Sequence, residues 1–196
     1  MNSRITEKFN ALEAKGEKAL IAYITGGDSD LNTTYNLVLG MEKAGVDIVE
    51  IGIPYSDPLA DGPVIQRASQ RALKAGANID SIFQMVLKLR GKTSLPLVLL
   101  VYFNSIYKYG IKKFLDKCQA NGIDGLIIPD LPLEERIELN QMMKHYPMDL
   151  IALVAPTSEN RIKEIVSDAK GFIYCISSTG VTGTRNHFDI DLSGFM

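Results

Sequence analysis

An α/β fold on a parallel sheet is the class this sequence predicts, and three observations predict it. Runs rich in Ile, Val and Leu recur along the chain, each followed by a polar or glycine-containing turn and then by a stretch of helical periodicity. Several of these runs, such as Leu97-Val98-Leu99-Leu100 and Ile48-Val49, are continuously apolar, as strands covered on both faces must be. Almost every run also ends, on its C-terminal side, in residues that can hydrogen-bond or do chemistry. A (β/α) barrel gathers such ends on one face, and a doubly wound open sheet lines them along its carboxyl edge, so pattern alone leaves both architectures open. The open sheet would be expected to carry a phosphate loop after its first strand, yet Thr25-Gly26-Gly27-Asp28 is neither GxGxxG nor a Walker loop.

Taken in order, the strands are expected at 19–25, 48–53, 95–102, 125–128, 150–154 and 172–177. Helices are expected at 30–44, at 64–89 in two pieces broken around Gly76, and at 111–121, 133–145 and 158–169. Before the first strand, Ile5, Phe9 and Leu12 fall on one helical face, which predicts an extra helix covering one end of a barrel.

The 196 residues, 46% hydrophobic and 22% charged, suit one globular domain over 1–196. With 21 Lys plus Arg against 23 Asp plus Glu, the net charge of -2 offers no general attraction for nucleic acid or an anionic membrane. No apolar run approaches the roughly 18 residues of a membrane helix, and residues 1–10 carry mixed charges in place of a signal-peptide core, so a cytoplasmic protein is expected. Cys118 and Cys175 lack CxxC spacing and read as reduced, buried thiols. His145 and His187, the two histidines, lie in a helix tail and a late polar loop and read as solvated, so no metal site is expected. No strand carries a Lys in its interior or at its C-terminal end, which argues against Schiff-base chemistry.

The groups at the strand ends are Thr25 and Asp28; Glu50 with Ser56, Asp57 and Asp61; Tyr102 and Asn104; Asp130; Thr157; and Ser177 to Thr179. Asp28, Asp30, Thr157 and Ser158 read first as helix caps. Glu50 differs, because it lies inside a strand with β-branched residues on both sides. It must point to the barrel mouth or to the helix layer. Burial without a partner would raise its pKa toward neutrality and let it both give and take a proton; a salt-bridged or solvated Glu fits the sequence equally well. Asp61 follows in a loop stiffened by Pro54, Pro58 and Pro63, where Asp-Gly-Pro in isolation is an ordinary turn. For carbon–carbon bond chemistry, this leaves the Glu50 and Asp61 carboxylates acting on a substrate that supplies its own electron sink.

The segment Glu50-Ile51-Gly52-Ile53-Pro54-Tyr55-Ser56-Asp57-Pro58-Leu59-Ala60-Asp61-Gly62-Pro63 is similar to the signature of tryptophan synthase alpha chains. Tyr23-Ile24-Thr25-Gly26-Gly27-Asp28, Val101-Tyr102-Phe103-Asn104, Pro129-Asp130-Leu131-Pro132 and Ser177-Ser178-Thr179-Gly180-Val181-Thr182-Gly183 follow the same family's order. The resemblance implies a TIM (β/α)8 barrel with an N-terminal helix. It also implies retro-aldol cleavage of indole-3-glycerol phosphate to indole and glyceraldehyde 3-phosphate, with Glu50 as general acid–base and Asp61 as the second catalytic carboxylate. Tyr23, Leu100, Ile127 and Pro129 match positions lining the indole pocket, Tyr102 and Tyr174 match tyrosines near the reacting side chain, and Thr182 and Gly183 match a closing loop. The implied partner is a beta chain in an alpha2beta2 heterotetramer, facing Asp57, Pro58, Asn104, Asp130 and Pro132. Pyridoxal phosphate would belong to that partner, and this chain would carry no cofactor of its own. Tyr107 is aromatic, as the family leads one to expect, whereas Lys108 stands where Asn is expected.

The sequence stops at Met196, where the resemblance calls for a further helix and two more βα units, so a C-terminally truncated member with the first six units is expected. In the family, the missing units hold the substrate phosphate, and the chain alone is expected to be weakly active or inactive. A stand-alone indole-releasing lyase, or a non-catalytic activator of a beta chain, remains an alternative.

Overall fold

In the computed structural model, which describes residues 3–176, the apolar runs lie side by side as parallel strands. β1 (Ile21–Thr25), β2 (Ile48–Gly52), β3 (Leu97–Leu100), β4 (Gly125–Ile127) and β5 (Asp149–Leu150) form one sheet in sequential order. β6 (Ala152–Val154) and β7 (Ile173–Cys175) pair separately, also in parallel. Strands 150–154 of the sequence pattern are thus one ribbon broken at Ile151, whose first part pairs with β4 and whose second part pairs with β7. Ile151 still donates its N–H to the Leu126 carbonyl at 2.9 Å, so the break is a corner. Strand order without reversal is that of a barrel wall; a doubly wound sheet would reverse at a switch point.

Among the described residues, eight α-helices cover the outside and one end: α1 (Arg4–Glu13), α2 (Leu31–Lys43), α3 (Pro63–Lys74), α4 (Ile79–Arg90), α5 (Phe103–Tyr109), α6 (Ile111–Ala120), α7 (Ile137–Met143) and α8 (Ile162–Val166). The expected break at Gly76 separates α3 from α4; this glycine has φ +85°, and Asn78 and Ser81 then cap α4 reciprocally. α5 is not anticipated by the sequence pattern, because about two turns directly after a strand have too few residues to show periodicity. The expected helix at 158–169 is a 3-10 turn, Pro156–Arg161, leading into the short α8. None of the described helices is long and apolar enough to cross a membrane.

Alternation along the strands sorts the core into two layers. Val49, Ile51, Leu97, Leu99 and Leu126 point outward and pack with Val38, Ile82, Val86 and Phe114 of the helices. Ile48, Val98, Ile127 and Ile151 point inward and meet Ile5 of α1. Glu50, two residues after Ile48, therefore faces inward.

Helix α1 closes the end of the barrel opposite the strand C-termini, as its apolar face leads one to expect. Ser3 caps α1 by accepting the Thr6 N–H and donates to Asp149 Oδ2 at 2.6 Å. Arg4 and Arg90 each hold an oxygen of Asp124 at 2.6 Å, and the Leu97 N–H donates to Asp124 as well, at 2.8 Å. Arg90 also donates to the carbonyls of Gly122, from Nε at 2.8 Å, and Leu95, from Nη1 at 2.6 Å. Gly125 opens β4 because a Cβ there would come within 3.1 Å of the Ile5 side chain.

Because Arg90 is largely enclosed, Asp124→Ala should leave a buried guanidinium unpaired and cost about 3–5 kcal/mol, whereas the more exposed Arg4 contributes little. Urea unfolding of the full-length variant measures this. A loss under about 1 kcal/mol would show that the Asp124 cluster does not hold the sealed end.

Candidate active site

Glu50 lies on β2 between Tyr23 of β1 and Val98 of β3. It is 4% exposed, and among the described residues its carboxylate makes no ion pair or side-chain hydrogen bond. Burial raises its pKa to about 7. The choice left open by the sequence is thereby resolved toward the barrel interior.

Asp61 is half-buried in the loop between β2 and α3. Its N–H donates to the Pro58 carbonyl at 3.0 Å, and its own carbonyl accepts from Gln66 Nε2 at 2.8 Å. Burial raises the pKa of its carboxyl group too, and the Tyr102 hydroxyl, hydrogen-bonded to it, works in the opposite direction. Tyr23 and Tyr174 each feel the charge of both Glu50 and Asp61, so the two carboxylates and the two phenols face a common space. The Tyr23 phenol is pushed up to about 12, chiefly by burial.

The Tyr23 hydroxyl lies 3.3 Å from Thr25 Oγ1 and directly over Gly52. A Cβ on Gly52 would stand 2.2 Å from that oxygen, so any side chain at position 52 would displace Tyr23. Gly52 is a functional position that residue-by-residue reading passes over. Its signal is a glycine inside a strand, which marks close approach by another group. Leu100 and Ile127 lie on the same inward face, and Pro129 follows β4. Thr182, Gly183, His187 and Ser177 to Thr179 lie outside the described residues.

The positions matched to a partner surface lie on the loops after β2 and β4 and on the first turn of α5. Asp57, Asn104, Asp130 and Pro132 are exposed, while Pro58 is buried. Two of them also have local work: Asn104 Nδ2 donates to the Tyr55 hydroxyl at 2.9 Å, and Asp130 accepts the Phe103 N–H at the start of α5 at 2.8 Å. Beside them Leu59 is 88% and Tyr107 70% exposed.

Of the lesser expectations, the cap at Asp30 holds, while those for Asp28, for Thr157 with Ser158 and for Cys175 need correction. Asp28 is an ion-pair partner of Arg71, bound at 2.8 Å through both oxygens, and not a cap. Asp30 is the cap of α2, accepting the Thr33 N–H at 2.7 Å, and Ser158 accepts the Ala155 N–H within the 3-10 turn that Thr157 shares. Cys175 is exposed, because among the described residues β7 has a strand on one side only, whereas Cys118 is buried as expected. A cleft of about 370 Å³ lined by Pro129, Pro132, Arg136, Leu153 and Arg161 includes neither Glu50 nor Asp61.

Residues 9–196 match the family model of the tryptophan synthase alpha chain. The chain belongs to the tryptophan synthase alpha chain family. It is 70% identical over 196 residues to the tryptophan synthase alpha chain of Alkaliphilus metalliredigens, covering 100% of this chain and 74% of that one. Among solved structures, tryptophan synthase of Mycobacterium tuberculosis superposes with a TM-score of 0.88 at 34% identity, covering 95% of this chain and 72% of that one. A tryptophan synthase complex from Pyrococcus furiosus gives 0.77 at 37% identity, covering 80% and 65%. This is a family of enzymes of tryptophan biosynthesis with a TIM-barrel fold, and the order β1 to β7 is the corresponding part of that barrel wall.

The buried Glu50 should cost the family fold stability in a pH-dependent way. Its folded pKa, about 7, lies above the unfolded value, so the protein is relieved of the cost below about pH 4.5 and bears it fully as pH rises through 7. Glu50→Gln removes the charge and is expected to stabilise the protein by up to about 3 kcal/mol at pH 8, the gain vanishing near pH 4. Denaturant titrations at the two pH values measure the difference, and an equal effect at both would contradict the burial of an unpaired carboxylate.

Proposed function

We propose that Glu50 and Asp61 cleave indole-3-glycerol phosphate to indole and glyceraldehyde 3-phosphate. The observation that carries this reading is a carboxylate buried in a strand, unpaired among the described residues, with a second carboxylate facing the same space. Glu50, as the acid, gives a proton to C3 of the indole ring, and the nitrogen lone pair moves into the ring to leave an indoleninium. The resulting Glu50 carboxylate then takes the proton of the glycerol hydroxyl on the adjacent carbon. As the aldehyde forms, the carbon–carbon bond breaks and its electron pair returns to the ring, releasing indole and restoring protonated Glu50. One group can serve both steps because a pKa near 7 makes either protonation state accessible. Asp61, as an anion, would stabilise the positive charge at the indole nitrogen, so the two carboxylates take different roles from different surroundings.

Tyr23, Leu100, Ile127 and Pro129 would hold the indole ring, with Tyr174 beside the reacting carbon and Thr182 and Gly183 closing the site. The chain needs no cofactor of its own in this scheme, because the protonated ring is the electron sink. We place it in the cytoplasm with a beta chain as partner in an alpha2beta2 assembly, pyridoxal phosphate being the partner's. The exposed Leu59 and Tyr107, next to Asp57, Asn104 and Pro132, support a docking face there.

In the full-length protein, Glu50→Gln is expected to lower indole release by 10² to 10⁴-fold with substrate affinity nearly unchanged, and Asp61→Asn to behave similarly. Activity of the unaltered protein should fall as pH rises above about 7, because the starting acid is lost. A loss of less than about tenfold on removing Glu50 would rule out its role. For the docking face, Leu59→Ala combined with Tyr107→Ala should weaken binding of a beta chain by about tenfold or more in calorimetry, without altering the protein's own fold. Unchanged affinity would place the partner elsewhere.

A further inference from the structure

Tyr102 does more at this site than line it. Its side chain is 4% exposed at the end of β3, and its ring stacks on Tyr55 with centroids 5.0 Å apart and planes at 25°. Its hydroxyl reaches across to the loop after β2, where the Ala60 N–H donates to it at 3.0 Å. Tyr55 is fixed in turn by Asn104, and the start of α5 by Asp130. The peptide that carries Asp61 is therefore held from both directions, by Tyr102 at the Ala60 nitrogen and by Gln66 at the Asp61 carbonyl.

A phenol oxygen that accepts from Ala60 keeps its own O–H to donate, and the acceptor it reaches is the Asp61 carboxylate. Burial and the neighbouring carboxylate charge hold the phenol well above its usual pKa, so the proton stays on oxygen. The titratable groups sharing this space with Asp61 are Tyr23 from β1, Glu50 from β2, Tyr102 from the end of β3 and Tyr174 from β7, and the Asp130 charge from the loop after β4 also reaches Tyr102. Among the described residues no Lys, Arg or His forms an ion pair with Asp61. The Tyr102 hydroxyl is then what favours the charged form.

We propose that Tyr102 is the positioning residue for Asp61, its hydroxyl pinning the Ala60 peptide on one side and donating to the carboxylate on the other. The inference rests on the reading that Asp61 acts as an anion, and it extends that reading to the group that keeps it one.

The test is Tyr102→Phe in the full-length protein, with folding checked by circular dichroism. Carboxyl ¹³C NMR should show the Asp61 titration moved upward by about one unit, the size of a lost hydrogen bond to a carboxylate. Turnover should fall about tenfold or more with KM changed less than about threefold, and the acid limb of the rate profile should move to higher pH. In an Asp61→Asn background the same change should cost little more, since the two residues act as a unit. An unmoved Asp61 titration, or an equal cost in both backgrounds, would overturn the proposal. If the unaltered protein released no indole, the lyase reading would fail while the Asp61 titration still judged Tyr102. Site-specific 3-fluorotyrosine at position 102 keeps the ring and strengthens donation, so it should move the Asp61 titration downward. No movement there would overturn the proposal even if Tyr102→Phe did not fold.

Discussion

A carboxylate with no counter-charge among the described residues sits in the barrel interior, and much of the architecture follows from keeping it there. Glu50 is inward because β2 pairs in register with β1 and β3, and that register is set by the apolar alternation on either side. Shifting β2 by one residue would turn Glu50 into the helix layer and bring Val49 and Ile51 inward. The outward cluster packed against Ile82, Val86 and Phe114 forbids that shift. The stability surrendered at one position is therefore supplied by the ordinary packing of its neighbours, as expected of a strained functional site in an otherwise consistent fold.

The two ends of the barrel treat charge in opposite ways. At the end sealed by α1, the buried carboxylates have partners: Asp124 has two guanidiniums and a backbone N–H, and Asp149 has Ser3. At the strand C-termini, Glu50 and Asp61 have phenols for neighbours and, among the described residues, no ion pair with a cation. Paired charge fixes structure and has little tendency to exchange protons, whereas unpaired buried charge is costly and therefore reactive. The contrast separates a structural face from a chemical one without reference to any relative.

How far the sequence could be read follows from the length scale of each signal. The six strand runs and the helix before them are legible, because alternation and helical periodicity extend over enough residues to be distinct. The direction of Glu50 is not, since a single strand has two faces and only pairing with Tyr23 and Val98 chooses between them. Helix α5 and the corner at Ile151 are too short to leave a pattern. Asp28 reads as a cap because its partner Arg71 lies 43 residues away. The family signature, residues 50–63, pointed to both carboxylates together, but nothing in it reveals that Tyr102 reaches Ala60, a contact made only when β3 is laid beside β2.

The placement of the two carboxylates on different kinds of element has its own physical logic. Glu50, on a strand with neighbours on both sides, can neither turn toward solvent nor recruit a cation, so its environment is fixed at folding. Asp61, on a loop, would be free to do both, and a free carboxylate would lose the orientation that charge stabilisation needs. Pro54, Pro58 and Pro63 restrict that loop locally, but prolines limit only the backbone angles of their own neighbourhood and do not fix where the loop sits on the barrel. That requires a contact from another element. The Ala60 to Tyr102 hydrogen bond supplies it, tying the loop to the next strand over and bringing to Asp61 a donor that is not a cation. A Lys or Arg in that place would anchor the loop equally well, but its charge would also favour ionised Glu50 in the same space and pull its pKa down from about 7. A neutral donor is the kind of group that can favour charge on one carboxylate while leaving the other free to carry a proton.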